Sequence, residues 1–156
     1  MKLSTKGRYG LKAMFELALN EGKGPIPLKK IGLRQNISDQ YLEQLFLNLR
    51  KANLVKSVRG AHGGYLLSKA AKDITVGDIL RVLEGPIAPS ECVLYSDLDC
   101  DLMNTCVTKV IWEKIKKSIE DVIDSISLDD MVKDYENKMS DKTIKLILKG
   151  DEEDAN

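Results

Sequence analysis

The sequence predicts a mainly α-helical fold with one small β-hairpin, and three stretches lead to this prediction. Residues 54–58 and 65–67 have the pattern of two short strands separated by a glycine-rich turn. Residues 111–126 carry an apolar seam that indicates a long helix. Before the hairpin, apolar residues recur at the spacing of an amphipathic helix: Tyr41, Leu42, Leu45, Phe46 and Leu49.

The first helix is predicted to begin at Ser4 or Thr5, whose hydroxyl groups are good helix caps, and to end near Asn20. Its inner face is expected to consist of Leu11, Met14, Phe15 and Ala18. Three basic residues fall on its early, outer side: Lys6, Arg8 and Lys12. That pattern is equally compatible with a phosphate-binding face and with an ordinary solvated one.

A shorter helix is predicted over residues 28–34, with Leu28 and Ile31 facing inward, and residues 35–37 form the turn after it. Ser38 is a candidate N-cap for the helix that contains the 41–49 stripe. Two helices joined by a tight turn outline a helix-turn-helix, and a hairpin directly after the second helix is a wing. We therefore expect a winged helix-turn-helix domain in residues 1–85.

This domain is predicted to close with a helix that begins at the capping box of Thr75 and Asp78 and ends by Gly85. Residues 86–106 lack helical periodicity and contain all three cysteines, so we expect a loop there. The next helix carries the seam of Ile111, Ile115, Ile119, Val122 and Ile126, which Trp112 and Ile123 widen. Because so apolar a helix has little of its own domain to pack on, the seam predicts a two-fold homodimer.

A second capping box, Ser127 with Asp130, is predicted to open a short final helix that ends near Tyr135. Residues 107–135 would thus form a dimerisation helix and a short final helix. The remaining residues, 136–156, are predicted to be a charged, flexible tail.

Charge is unevenly distributed along the chain, although the formal net charge is zero. Residues 1–73 contain 14 Lys and Arg against 5 Asp and Glu, whereas residues 74–156 contain 10 against 19. A basic half that carries a helix-turn-helix suits binding to the phosphates of double-stranded DNA.

An odd number of cysteines, no secretory signal and no apolar run of about 20 residues predict a cytoplasmic protein without a membrane span. A single histidine, in the hairpin turn, and no readable catalytic constellation predict that it is not an enzyme.

Several motifs carry a resemblance to a known family: MKLSTKGRYGLKAM at the start, YLEQLF and SVRG in the centre, and CVTKVIWEKI after the third cysteine. Over roughly residues 1–135 the chain resembles the IscR-like iron–sulfur cluster regulators of the Rrf2 family of winged helix-turn-helix transcription factors. The resemblance implies a recognition helix in the major groove, a wing in the minor groove, and a dimer on an inverted-repeat operator.

The resemblance also implies which residues contact DNA. Gln44 can pair with adenine, Glu43 can accept a hydrogen bond from cytosine, and Arg59 can enter a narrow minor groove. Gln40 stands where the related regulators have a small hydroxyl residue. The expected DNA-binding set is Ser38, Gln40, Tyr41, Glu43, Gln44 and Arg59, with Lys6 and Arg8 on the backbone.

The cysteines follow the pattern Cys-x7-Cys-x5-Cys, and the resemblance implies an iron–sulfur cluster held by Cys92, Cys100 and Cys106. The related regulators add a histidine three residues after the last cysteine, where this chain has Lys109. A 2Fe-2S cluster is expected, completed by Asp97, Asp99 or Asp101. A 4Fe-4S cluster with one external ligand, or zinc, is the alternative.

The function expected from these features is a dimeric transcription regulator that senses cluster or redox status and controls iron–sulfur assembly or related iron and sulfur genes. Whether it represses or activates stays open. The alternative is a related regulator without a cluster, which responds to a protein partner or by thiol switching. A cluster carrier for electron transfer is a third reading, but neither the basic half nor the SVRG wing would serve it.

Overall fold

A computed structural model describes residues 2–95 and 98–154 and confirms the mainly helical fold with a small β wing. The helices are α1 (Thr5–Leu19), α2 (Leu28–Gln35), α3 (Asp39–Lys51), α4 (Val76–Glu84), α5 (Val107–Ser125) and α6 (Leu128–Asp154). The strands are β1 (Val55–Val58) and β2 (Gly64–Leu67), and single 3-10 turns span Ala71–Asp73 and Glu91–Val93.

Side-chain caps set the starts of three helices at the predicted positions. Ser4 Oγ accepts a hydrogen bond from the N–H of Lys6 at 3.1 Å, and Ser38 Oγ accepts one from the N–H of Tyr41 at 3.3 Å. Thr75 and Asp78 form the predicted reciprocal box, with distances of 3.0 and 2.9 Å. Each cap satisfies N–H groups that a helix leaves without partners at its start.

The core lies between α1, α3, α4 and the wing. Phe46 is fully buried, and its ring packs edge-on against that of Tyr65, with centroids 4.8 Å apart. The prediction for α1 is right for Met14 and Ala18, which are buried. It omits Leu17, which is also buried. It is only partly right for Phe15, which is half-buried and packs its ring against that of Tyr135 in α6, with centroids 5.5 Å apart.

The wing is an antiparallel pair in which Val55 lies opposite Leu67 and Val58 opposite Gly64. The loop after α1 holds it in place: the N–H of Ile26 donates to the carbonyl of Tyr65 at 3.0 Å, and the reverse bond measures 2.8 Å. Position 64 must be glycine, because a Cβ there would lie 2.3 Å from the backbone of Ile26. The loop before α2 therefore holds β2 beside the turn that forms the tip of the wing.

Helix α4 packs tightly against the start of α1. The Glu84 carboxylate accepts hydrogen bonds from Ser4 N (2.8 Å), Ser4 Oγ (2.6 Å) and Gly7 N (2.9 Å). At position 10 a Cβ would lie 1.9 Å from Leu83 Cδ1, so glycine permits the close approach of the two helices. Burial alone would raise the pKa of Glu84, but these hydrogen bonds outweigh it and lower the pKa.

The prediction of a short final helix ending near Tyr135 is wrong, because α6 continues to Asp154. Ser127 and Asp130 form the predicted capping box, with distances of 2.9 and 3.1 Å. Neither Pro nor Gly occurs between positions 128 and 149, so nothing in that stretch interrupts the helix. Two ion pairs spaced four residues apart support it, Asp129–Lys133 and Asp134–Lys138, both at 2.6 Å.

Helix α5 carries the predicted seam, yet none of its residues is buried in the described chain. Val122 and Ile111 are 56% and 50% exposed. A shallow apolar hollow on its surface is lined by Ile115, Ile119, Val122 and Ile123, among others. Ile126 lies just beyond the helix, and its carbonyl accepts a hydrogen bond from Val76 N at 2.8 Å.

Among the helices described, none is both long enough and apolar enough to cross a membrane.

The Glu84 contacts predict a pH-dependent contribution to stability. Because the folded pKa is lowered, the contribution is present above the ordinary glutamate pKa of about 4.3 and is lost as pH falls through the folded value. Glu84→Gln should reduce the free energy of unfolding by about 0.5–2 kcal/mol at neutral pH. Denaturant titrations at neutral and strongly acidic pH would show this difference shrinking on acidification.

Glu136→Gln, on the exposed side of α6, is the matched control and should change little at either pH. A Glu84→Gln deficit that persists unchanged in acid would contradict the assignment to the carboxylate.

Candidate DNA-binding surface and cysteine segment

The outer face of α3 presents three of the predicted DNA-binding residues to solvent. Gln40, Glu43 and Gln44 are exposed, while Leu42 and Leu45 on the opposite face are buried in the core. Helical periodicity therefore separates the packing face from a polar face that is free to bind. Amide and carboxylate groups on that face match the donors and acceptors displayed by base edges in a major groove.

Ser38 and Tyr41 have structural contacts of their own. Ser38 is exposed and caps α3, so its hydroxyl oxygen already accepts one hydrogen bond. Tyr41 is half-buried, and its ring meets that of Tyr9 edge-on, with centroids 5.9 Å apart. The tyrosine pair joins α1 to the start of α3, so Tyr41 contributes to packing as well as to the surface.

Basic residues of α1 lie beside this tyrosine pair. Lys6 and Arg8 are exposed, as predicted. Lys12 is also exposed, and its Nζ lies 5.7 Å from the centre of the Tyr9 ring. The sequence set of DNA-binding residues did not include Lys12, although its three-residue spacing from Tyr9 places both on one helix face.

Arg59 follows β1 at the tip of the wing and is exposed. Gly60 has φ of 112°, which only glycine adopts readily, and the turn closes with a hydrogen bond from Gly63 N to the Gly60 carbonyl at 3.0 Å. His62 lies in the same turn and is exposed. The tip thus presents a guanidinium on a narrow backbone, a shape that can enter a minor groove.

The three cysteines differ in their surroundings. Cys92 lies in the 3-10 turn and is half-buried, with its Sγ 3.3 Å from Ser90 Oγ. Cys100 is exposed. Cys106 is the N-cap residue of α5, and its Sγ lies 3.2 Å from Thr108 Oγ1. In the part of the chain that the structure describes, no three potential metal ligands come together in one group.

The pKa of the Cys106 thiol is lowered, first by the hydrogen bond with Thr108 and then by the backbone N–H of Lys109. The Thr108 hydroxyl stabilises the thiolate by hydrogen bonding, and the N–H groups at the start of α5 also favour negative charge. The surroundings of Cys106 therefore favour the thiolate, which is the form that binds metals and attacks disulfides.

Lys109 occupies the position of the related regulators' histidine and has partners of its own. Its Nζ donates to Met103 Sδ at 3.3 Å and lies 3.9 Å from Glu113 Oε1. Lys109 and Glu113 also line a groove that contains Cys92 and Tyr95. Of the aspartates predicted as a fourth ligand, Asp99 and Asp101 are exposed and Asp97 lies outside the described residues.

By donor type, the cysteine segment fits an iron–sulfur cluster. Three thiols occur on one segment, and thiolates are the usual ligands of such clusters. By position, no three potential ligands are grouped among the described residues, so a cluster would need the segment to bring its ligands together.

Comparisons with known proteins agree with this fold. The family model Rrf2, "Iron-dependent Transcriptional regulator", matches residues 3–134. The transcriptional regulator CymR of Bacillus subtilis is 49% identical over 84% of this chain and 89% of its own length. Its solved structure, titled the global cysteine regulator, has a TM-score of 0.71 at 47% identity, covering 85% and 97%.

Two IscR proteins are also similar. The solved structure of IscR from T. potens is 55% identical, with a TM-score of 0.74, over 88% of this chain and 90% of that one. IscR of Vibrio atlanticus is 42% identical over 87% and 78%. The match to the family model and these identities show that the chain belongs to the Rrf2 family of transcriptional regulators.

Proposed function

We propose that this regulator is a homodimer that binds an inverted-repeat operator and responds to an iron–sulfur cluster held by Cys92, Cys100 and Cys106. The position of the cysteine segment carries the proposal: it connects the DNA-binding domain directly to the first turn of α5. A change in that segment can therefore alter how α5 sits on the domain. The regulator would act in the cytoplasm. It would control genes of iron–sulfur assembly or of related iron and sulfur metabolism.

The polar face of α3, the Arg59 wing tip and the basic start of α1 support the DNA-binding part. Gln40, Glu43 and Gln44 are exposed while the opposite face is buried, so they can reach base edges. Lys6 and Arg8 are free to neutralise phosphates. Ser38 and Tyr41 would hold the start of the recognition helix and offer their remaining polar atoms to DNA.

Helix α5 supports the dimer. It has an apolar seam with no buried residue in the described chain, and such a surface is costly to leave in water. A second copy of the same helix offers a matching surface, and two-fold symmetry pairs identical patches. A two-fold dimer of winged domains in turn requires two half-sites in inverted orientation.

The cluster would supply an iron centre that is sensitive to oxidants and to iron supply. Cys106 would contribute a thiolate that the start of α5 stabilises, and Cys92 and Cys100 would supply the other two. Lys109, whose Nζ lies 3.9 Å from Glu113 Oε1, does not replace the histidine ligand of the related regulators. A 2Fe-2S cluster with a carboxylate from the segment is the form we propose, and 4Fe-4S with an outside ligand is the alternative.

A second candidate is a regulator without a cluster, which acts through its thiols or through a protein partner. Two observations favour it: no three potential metal ligands are grouped among the described residues, and the lowered pKa of Cys106 makes its thiol more reactive. Its relative CymR is titled a cysteine regulator.

The wing proposal predicts that Arg59→Ala weakens operator binding by about 1–3 kcal/mol and relaxes the preference at A·T-rich minor-groove positions. Lys6→Ala is the comparison, because a phosphate contact should weaken binding to every sequence and lower the salt slope by about 1. Fluorescence anisotropy on operator and random duplexes over a salt series measures both. Equal losses on the two duplexes for Arg59→Ala would limit Arg59 to a phosphate contact.

The dimer proposal predicts that Ile119→Lys gives a folded monomer that binds the operator poorly, because it places a charge in the apolar seam. Asp121→Lys introduces the same side chain on the exposed side of α5 and should leave the dimer intact. Sedimentation velocity distinguishes the two forms. An Ile119→Lys protein that still sediments as a dimer would place the interface elsewhere.

The cluster proposal predicts a visible absorption band, iron and acid-labile sulfide in anaerobically purified protein. Replacing any one of the three cysteines by Ala should abolish the band while circular dichroism and dimerisation change little, because none of the three thiols lies in the core. Holo and apo protein should differ in affinity for the same operator at the same salt. Zinc without sulfide, or equal binding by holo and apo protein, would reject the cluster sensor in favour of the second candidate.

A further inference from the structure

The DNA-binding domain is joined to α5 by an ion pair that spans two helices. Arg81 of α4 donates through both terminal nitrogens to Asp124 of α5, with Nη1–Oδ1 and Nη2–Oδ2 distances of 2.7 Å each. This two-point contact fixes the carboxylate in the plane of the guanidinium, so it constrains orientation as well as distance.

Gly77 makes room for this pair. A Cβ at position 77 would lie 2.0 Å from Asp124 Oδ1 and 2.8 Å from Arg81 Nη1, and these two side chains account for all its closest contacts. The three residues therefore form one unit, which we call the α4–α5 joint: Gly77, Arg81 and Asp124.

Backbone hydrogen bonds beside the joint connect the same two parts of the chain. The N–H of Val76 donates to the carbonyl of Ile126 at 2.8 Å, and the N–H of Leu128 donates to the carbonyl of Ile74 at 2.9 Å. The segment before α4 thus pairs with the turn between α5 and α6. At its other end, α4 is clamped to α1 through Glu84 and Leu83. Helix α4 therefore connects the C-terminal end of α5 rigidly to the first DNA-binding helix.

Stability alone does not account for this geometry. Arg81 and Asp124 are 39% and 45% exposed, and ion pairs this accessible to water contribute little to the free energy of folding. Their hydrogen bonds lower the pKa of Asp124, so the pair stays ionised at neutral pH. A contact that adds little stability but strong directionality is suited to setting an angle.

We infer that the α4–α5 joint sets the angle between the winged domain and the dimerisation helix, and so determines which spacing of DNA half-sites the dimer accepts. This inference rests on the proposed function, because it requires two copies joined through α5. The two recognition helices are carried by the winged domains, so a rotation at each joint changes the distance between them. Loosening the joint should leave contacts within a half-site intact and weaken only the selection of spacing.

Two variants loosen the joint in different ways. Asp124→Asn removes the charge and one of the two acceptors. Gly77→Ala keeps both charges but displaces the Asp124 carboxylate, and Ala favours the helix at that position. Asp121→Asn is the matched control, because Asp121 pairs with Lys117 at 3.0 Å within α5 and joins no second element.

The experiment uses full-length dimer and an operator selected with the wild-type protein. Anisotropy titrations compare the operator, the same operator with one base pair inserted between half-sites, and an isolated half-site. For Asp124→Asn and Gly77→Ala, we expect the affinity ratio of operator to inserted operator to fall at least about five-fold, because the angle is no longer held. The affinity for the isolated half-site and the sedimentation coefficient of the dimer should stay at wild-type values. Asp121→Asn should match the wild type in all of these measurements.

Two results would overturn the inference. The first is an unchanged spacing ratio in both joint variants, which would show that other contacts hold the angle. The second is an equal loss of affinity on all three duplexes, which would show that the pair only stabilises the fold. If the wild type itself binds a half-site as tightly as the inverted repeat, the proposed dimeric operator binding fails, and the joint loses its role with it.

Discussion

The close packing of α4 is the constraint on which the rest of the structure depends. On one side, Gly10 lets Leu83 approach α1, and the Glu84 carboxylate caps the first turn of that helix. On the other side, Arg81 binds Asp124 of α5. Because both sides are held by short-range contacts, the polar face of α3 and the apolar seam of α5 have a defined relation.

The cysteine segment lies outside this rigid part, which is consistent with a sensory role. Its thiols are half-buried or exposed, and outside residues 96 and 97 its regular structure is one 3-10 turn. Such a segment can be ordered by a ligand at little cost to the core. Its far end is the first turn of α5, where the lowered pKa of Cys106 favours a thiolate. In the proposed sensor, a chemical change there would act on α5, which Arg81 of α4 joins to the winged domain.

Much of the fold could be predicted because its signals are local. Caps at Ser4, Ser38 and Thr75 need only neighbouring N–H groups, and the stripe from Leu42 to Leu49 follows from helical periodicity. The end of α6 is predicted wrongly, because high charge content is typical of a flexible tail as well as of an exposed helix. Yet spaced ion pairs and the absence of helix breakers favour a helix. The polar face of α3 could likewise be predicted from the sequence, because burial of the apolar face leaves the opposite face exposed.

By itself, the sequence determined the order of elements, the helix starts, the basic half, the wing and the set of three cysteines. Only the tertiary structure decided that Tyr41 packs on Tyr9, that Glu84 caps α1 and that Arg81 meets Asp124, because these partners are 32, 80 and 43 positions apart. Spacing along the chain specifies local hydrogen bonds, whereas distant contacts depend on how helices pack against each other.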